Sequence, residues 1–246
     1  MAIDVTVLGC SGTYAGASEA CSGYLVDAGG FRILLDCGPG TLANLQKSML
    51  LEEIDAVVIS HCHPDHWLEL PILRNALRYI LLRTGLPVYS TSETLGMAEA
   101  ISGFELGPTF DWSLVTGGDD IKIGPCRVRF ARTDHPPETL AVRLDQAGSS
   151  FAYSADTGPR WSFEELGSGI DLAICEATAL DTDMTSGVHL TANQAGEMAR
   201  RAGVGELVLT HQLPGSDPDE FQRRGAEAYG SSVHIAAVGA HFHHET

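Results

Sequence analysis

The sequence predicts an α/β fold, a four-layer sandwich in which two mixed β-sheets are flanked by helices on their outer faces. Two observations carry the expectation. Short β-branched runs alternate with helical periodicities in both halves of the chain, and neither a low-complexity linker nor a solenoid-type repeat separates the halves. With 246 residues the chain can bury a substantial core, and a single domain over residues 1–246 is expected.

The first strands read as Ile3 to Leu8, Gly23 to Asp27 and Phe31 to Asp36, with Ala28-Gly29-Gly30 as a hairpin signal between the last two. A helix follows over Gly40 to Met49. Asp55 to Ser60 is a short, bounded β-branched run, the pattern of a strand covered by helices on both faces. Helical periodicity resumes from Leu68 to Leu82, then a strand at Pro87 to Tyr89 and a helix around Glu93 to Ile101. In the second half strands are expected near Ile121 and at Arg127 to Ala131, Leu140 to Leu144, Phe151 to Ser154 and Leu172 to Cys175. A helix at Ala192 to Ala202, a strand at Leu207 to Thr210, a helix at Pro218 to Tyr229 and a strand at Val233 to Ala237 close the order. The following His241-Phe242-His243-His244 reads as a solvated tail, able to pick up adventitious metal.

Composition narrows the function. Fifteen Lys and Arg against 32 Asp and Glu leave a formal net charge of −17, which repels phosphate backbones unless cations gather in a site, so broad nucleic-acid binding is disfavoured. Apolar runs such as Ile54 to Ser60 and Leu77 to Leu82 are broken well short of the roughly 20 residues a membrane helix needs, so no membrane partner is expected. Asp4 stands where a signal peptide would carry positive charge, so a cytoplasmic protein is expected. The six cysteines, Cys10, Cys21, Cys37, Cys62, Cys126 and Cys175, form no C-x-x-C pair and read as reduced, mostly buried thiols.

The chemistry concentrates in His61-Cys62-His63-Pro64-Asp65-His66, directly after the buried strand. Three imidazoles and a carboxylate in one loop supply nitrogen and oxygen donors to metal ions, and burying them unpaired would be costly. Further donors follow apolar runs elsewhere: His135, Asp156 and His211. His61, His63 and His135 would hold one ion and Asp65, His66 and His211 the other, with Asp156 bridging through its two oxygens.

These residues, in this order, resemble the metallo-β-lactamase superfamily, and within it the ribonuclease Z-like and small-phosphodiesterase branch. The H-x-H-x-D-H motif stands at residues 61 to 66 and the early Asp at Asp36 in Leu35-Asp36-Cys37-Gly38. Asp36 resembles the family residue that orients the histidine loop; a turn-starting Asp is the alternative. Cys175-Glu176-Ala177-Thr178, followed by His189-Leu190-Thr191, is similar to the H-E-A-T and H-x-T stretches of ribonuclease Z-like proteins, with Cys175 in place of the first His. The resemblance implies that His189, steadied by Glu176, is an acid toward the leaving oxygen; the alternative is a helix-entry His189 with Glu176 as a surface acid. His189, Glu176 and Asp65 form the expected catalytic group.

The fold and cofactors implied are those of a dinuclear hydrolase with two divalent ions, zinc or else manganese or iron, and a metal-bridging hydroxide as nucleophile. The favoured substrate is a small phosphodiester such as a cyclic nucleotide. The region between Tyr89 and His135 is acidic, and Gln212-Leu213-Pro214-Gly215 after His211 is unlike the ending common in the RNA enzymes. The alternatives are tRNA 3′-processing and hydrolysis of a thioester, lactone or other carboxyl ester. The Gly9 to Gly16 loop and Ser22-Gly23-Tyr24 resemble the small relatives too, although a strand-to-strand turn also explains the glycines. Trp67 and Pro71 to Leu82 read as a core-packing helix that could also offer a substrate wall or a homodimer surface.

Overall fold

The computed structural model describes residues 3–103 and 105–244. Strands β1 (Ile3–Gly9), β2 (Gly23–Ala28) and β3 (Arg32–Leu35) form an antiparallel meander, closed at the hairpin where the Ala28 N–H donates to the Phe31 carbonyl at 2.9 Å. Helix α1 (Thr41–Leu45) is shorter than the sequence suggests. Strand β4 (Ala56–Val58) leads into α2 (Pro64–Trp67) and α3 (Leu70–Asn75), and a π-helical turn over Ala76–Ile80 ends this stretch. The continuous helix expected over Leu68 to Leu82 is therefore divided. Pro64 and Pro71 each sit in a first helical turn, where a missing N–H costs nothing, so each proline starts a helix. Then come β5 (Leu86–Ser90), α4 (Ser92–Ser102) and β6 (Phe110–Leu114), a strand the sequence reading lacks.

The second half is β7 (Asp120–Ile123), β8 (Cys126–Arg132), β9 (Leu140–Gln146), β10 (Ser149–Tyr153), β11 (Leu172–Glu176), α5 (Ala192–Ala202), β12 (Glu206–Thr210), α6 (Pro218–Tyr229), β13 (His234–Ile235) and β14 (His241–His244). One sheet runs β14-β1-β2-β3-β4-β5-β6 and the other β13-β12-β11-β10-β9-β8-β7. Both are mixed: β3 to β6 and β10 to β13 pair in parallel, and the rest antiparallel.

Period-two alternation divides the apolar side chains into three cores. Val5, Val26, Ile33, Val58, Val128, Val142, Phe151 and Ile174 fill the space between the sheets. Leu34, Val57, Val88, Trp67, Leu73 and Leu77 join the first sheet to α1–α4, and Ala173, Cys175, Leu207 and Leu209 join the second to α5 and α6. The four-layer sandwich is thus observed, with one correction at β4. Val57 faces the helices while Ala56 and Val58 face the other sheet, so this strand is covered by helices on one side only.

A second correction concerns the C-terminal histidines. They are not a free tail: β14 pairs antiparallel with β1, from Ile3 opposite His244 to Thr6 opposite His241. Phe242 points into the inter-sheet core, while His241 and His243 stand on the other face beside Asp4. The strand satisfies backbone groups that would otherwise form an open sheet edge.

Candidate metal centre

The strand directions bring the C-terminal ends of β3, β4, β8, β10, β11 and β12 to one edge of the sandwich, and the site is built from the residues just beyond them. Three of those exits leave a non-glycine residue in the left-handed region: Asp36 at φ 59°, Ala155 at 50° and His211 at 64°. Each redirects the chain immediately after a strand, a strained conformation held by the packing around it.

The seven side chains named from sequence converge. One donor atom each from His61, His63, His135 and Asp156 lie within 4.8 Å of one another, and so do donors from Asp65, His66 and His211. Asp156 stands between the two groups with its oxygens divided. Its Oδ1 is 3.3 Å from His66 Nε2 and 3.4 Å from His211 Nε2, while its Oδ2 is 3.7 Å from His61 Nε2 and 3.9 Å from His135 Nε2. Asp65 Oδ2 is 3.4 Å from His211 Nε2 and 3.6 Å from His66 Nε2.

Three of these inward atoms, His61 Nε2, His66 Nε2 and Asp156 Oδ1, are buried without a hydrogen-bond partner. Polar atoms orphaned together, beside facing nitrogens such as His63 Nδ1 and His135 Nε2 at 3.1 Å, fit divalent cations and fit little else. The donor set is imidazole and carboxylate, suited to zinc, manganese or iron.

In four of the five imidazoles the outward nitrogen has a partner that fixes the ring. His61 Nδ1 meets Ser60 Oγ at 3.0 Å, His66 Nδ1 meets Asp36 Oδ2 at 2.7 Å, His135 Nδ1 meets the Val188 carbonyl at 2.9 Å and His211 Nδ1 meets Thr178 Oγ1 at 2.9 Å. Asp36, fully buried, also accepts from the Ser60 amide and hydroxyl and from the Tyr153 hydroxyl, so its orienting role is seen directly. The amide of Thr13, in the Gly-rich loop, donates to Asp65 Oδ2 at 2.8 Å, and that loop passes close enough to His211 that a Cβ on Gly12 would lie 2.5 Å from its carbonyl oxygen.

The sequence reading lacks Ser60, Tyr153, Thr178, the Thr13 amide and the Val188 carbonyl. Thr178 had a signal, since it stands two residues after Glu176 and a strand-like alternation would return it to the same side. Thr13 lies in the Gly9 to Gly16 loop that the sequence already singles out; the others carry no such signal.

Electrostatics follow from burial and charge. Burial and the neighbouring imidazoles of His66, His63 and His135 push His61 well below its usual range, and burial with His135 lowers His63, so both rings favour the neutral form that metal ligation requires. Burial opposes protonation of His66, but Asp156, Asp65 and Asp36 outweigh it and hold the ring well above its usual range. Asp156 is held well below the carboxylate range because His211 and His66 overcome its burial. Cations taking these nitrogens would displace such protons, so uptake releases protons.

His189 and Glu176 lie at the same place. His189 Nδ1 is 3.0 Å from Glu176 Oε1, and a nitrogen of the ring falls within the 4.8 Å group with Asp156 and His211. Glu176 is buried and accepts from the Thr157 amide at 2.6 Å, the Thr178 hydroxyl at 2.8 Å and the Leu190 amide at 3.1 Å, so it is no surface acid. Burial alone would lower His189, but the Glu176 hydrogen bond and charge raise it to about 9. Cys175, where the family stretch has a His, points into the helix-side core rather than the site. Cys62 lies outside the donor groups; its carbonyl accepts from Trp67 Nε1 at 2.8 Å, which braces the histidine loop.

A cavity of about 320 Å³ opens over these residues, lined by Thr13, His63, Pro64, Asp65, Asp156 and the two imidazoles of His189 and His211. A separate cavity of about 430 Å³ beyond the Ser11 and Gln212 backbone carries none of the donor side chains.

Comparison with known proteins agrees with this fold. The family model of the beta-lactamase superfamily domain matches residues 31–212. A probable metallo-hydrolase of Bacillus subtilis, YhfI, is 32% identical over 96% of this chain and 97% of its own. The crystal structure of that metallo-beta-lactamase fold protein superposes with a TM-score of 0.91 at 30% identity, over 99% of this chain and 100% of the other. A ribonuclease Z from a Mycobacterium species is 28% identical over 95% of this chain and 93% of its own. A diphosphatase from the PhnP family shares the fold, with a TM-score of 0.78 at 18% identity over 99% and 98% of the two chains.

Proposed function

The chain belongs to the beta-lactamase superfamily, and from that premise we propose that it is a metallo-hydrolase of small phosphodiesters, cyclic nucleotides among them. The observation that carries the reading is the pairing of half-buried His189 with fully buried Glu176 beside the donor cluster, an arrangement that serves departure of a poor leaving group. His61, His63 and His135 would hold one divalent cation and Asp65, His66 and His211 the other, with Asp156 shared. When bound, such ions, zinc in the first place, supply Lewis acidity toward phosphoryl oxygens and lower the pKa of water.

The chain's own residues do the rest. His61, His66, His135 and His211 present fixed nitrogens because their outward atoms are already engaged. Thr13 keeps Asp65 aimed inward. Glu176 holds His189 through Nδ1, which leaves Nε2 to deliver a proton to the departing oxygen. No serine or cysteine nucleophile is needed.

Substrate size is argued from space and charge. A cavity of about 320 Å³ is at the small end for ligand sites, and a net charge of −17 opposes a polyanion far more than a single phosphodiester. The acidic region between Tyr89 and His135, which holds α4, β6 and β7, offers no net positive charge to an RNA backbone.

The test is a hydrolysis panel with metal-loaded protein: cyclic nucleotides, bis(p-nitrophenyl) phosphate, a tRNA precursor, a thioester and a lactone. The expected result is turnover of the small phosphodiesters, falling by about 100-fold or more in His63→Ala and Asp156→Ala, since loss of even an outer partner of a ligand costs about 10- to 100-fold. Preferential cleavage of the tRNA precursor, or of the thioester or lactone, contradicts the reading.

A further inference from the structure

We propose that Thr178 is a positioning residue that ties the acid pair to the metal centre, so that Glu176 acts on His189 directly and on His211 through a single hydroxyl. The inference rests on His211 being a metal ligand, and it concerns how this chain holds that ligand.

The geometry leaves one arrangement of protons. Thr178 Oγ1 lies 2.8 Å from Glu176 Oε2 and 2.9 Å from His211 Nδ1, and it has one proton to give. The carboxylate can only accept, so the hydroxyl donates to Glu176 and must accept from His211. That places the His211 proton on Nδ1 and leaves the Nε2 lone pair directed at Asp65 and Asp156. Meanwhile Glu176 Oε1 holds His189. Thr178 is itself fixed, since its amide donates to the Leu190 carbonyl at 3.0 Å and the Leu190 amide returns to Glu176 at 3.1 Å.

The other half of the centre is built alike. Ser60 Oγ donates to Asp36 Oδ2 at 2.9 Å and meets His61 Nδ1 at 3.0 Å, while Asp36 Oδ2 holds His66 directly. Each buried carboxylate therefore steers one imidazole by contact and a second through a hydroxyl. The difference is what the direct contact holds: a ligand beside Asp36, the proton donor beside Glu176. One carboxylate thus serves both metal binding and leaving-group protonation, and only Thr178 separates the two.

Calorimetric titration of zinc into chelator-stripped protein tests this on three chains, unsubstituted, Thr178→Val and Thr178→Ser. The valine keeps the shape and removes the hydroxyl. Binding of one of two equivalents should weaken about 10- to 100-fold in Thr178→Val, the range for loss of such an outer partner, and recover to within a few-fold in Thr178→Ser. At saturating zinc, the rate ratio between alkyl and nitrophenyl phosphodiesters should stay as in the unsubstituted chain, because the His189–Glu176 contact remains. Should the valine variant not fold, Thr178→Ala replaces it in both measurements. Unchanged zinc binding in the variant, a serine variant as weak as the valine, or loss of the leaving-group ratio overturns the proposal. If the unsubstituted chain takes up no zinc, the metal reading fails and this inference fails with it. If it takes up zinc and the valine variant matches it, only this inference fails.

Discussion

At the scale of single residues, the site places two kinds of demand on histidine, and burial and neighbouring charge meet both. His61 and His63 are kept neutral by burial and nearby imidazoles, while His189 is raised to about 9 by Glu176 against its burial. A group raised in this way holds its proton below that value and loses it as pH rises through it, so acid assistance belongs to the neutral side of an alkaline limb. Replacing Glu176 with Gln removes the charge that favours the imidazolium, and the alkaline limb of kcat/KM should move to lower pH. A pH–rate profile of Glu176→Gln whose limb is unmoved removes Glu176 from that role. His189→Ala should slow alkyl phosphodiesters by about 10² to 10⁴ and nitrophenyl esters far less, because nitrophenolate departs without a proton. Equal losses for both leaving groups contradict the donor assignment.

At the scale of elements, the site depends on where strands and helices stop. Helix α5 is entered through Thr191, whose side chain accepts from the Gln194 amide while Gln194 reaches back to the Thr191 amide, and this capping box begins two residues after His189. Thr191→Ala should cost about 1 kcal/mol of unfolding free energy in a denaturant titration; no loss would mean that the helix start is held by packing alone. On the other side, Gly38 follows β3 so closely beneath the histidine loop that a Cβ there would sit 2.0 Å from the Asp65 carbonyl oxygen. Gly38→Ala must displace that loop, so both melting temperature and zinc uptake should drop, which thermal unfolding and titration would read together. The elements themselves were readable where pattern and boundary coincide. Helices α5 and α6 match the sequence reading at both ends, because a threonine or aspartate cap opens each and a glycine closes it. The expectation for Leu68 to Leu82 took periodicity as continuity and ignored Pro71, while β14 was missed because alternating His and Phe near a chain end carry no sign of the edge they will pair with.

At the scale of the whole molecule, two sheets packed face to face bring the ends of distant strands to one edge, and the candidate donor set is legible in the sequence because its members stand in the loops that follow apolar runs. The outer partners Ser60, Tyr153 and the Val188 carbonyl were not visible, because a hydroxyl or carbonyl acquires its meaning only from the imidazole that folding sets beside it. The surface charge acts at this scale too. With a net charge of −17, the protein should not be inhibited by excess tRNA during hydrolysis of a small phosphodiester, and inhibition at micromolar tRNA at ordinary salt would contradict the size argument. Along the π-helical turn and its neighbours, Ile72, Tyr79, Ile80 and Leu82 are exposed while Leu70, Leu73 and Leu77 are buried, so the stretch is chiefly a core-packing element. Everything else depends on the paired donor groups about Asp156. Elemental analysis of protein loaded with zinc and dialysed free of excess should find two ions per chain, with Asp156→Ala reduced to one or none; a chain that retains no ion, or an Asp156→Ala variant that keeps both, contradicts the account.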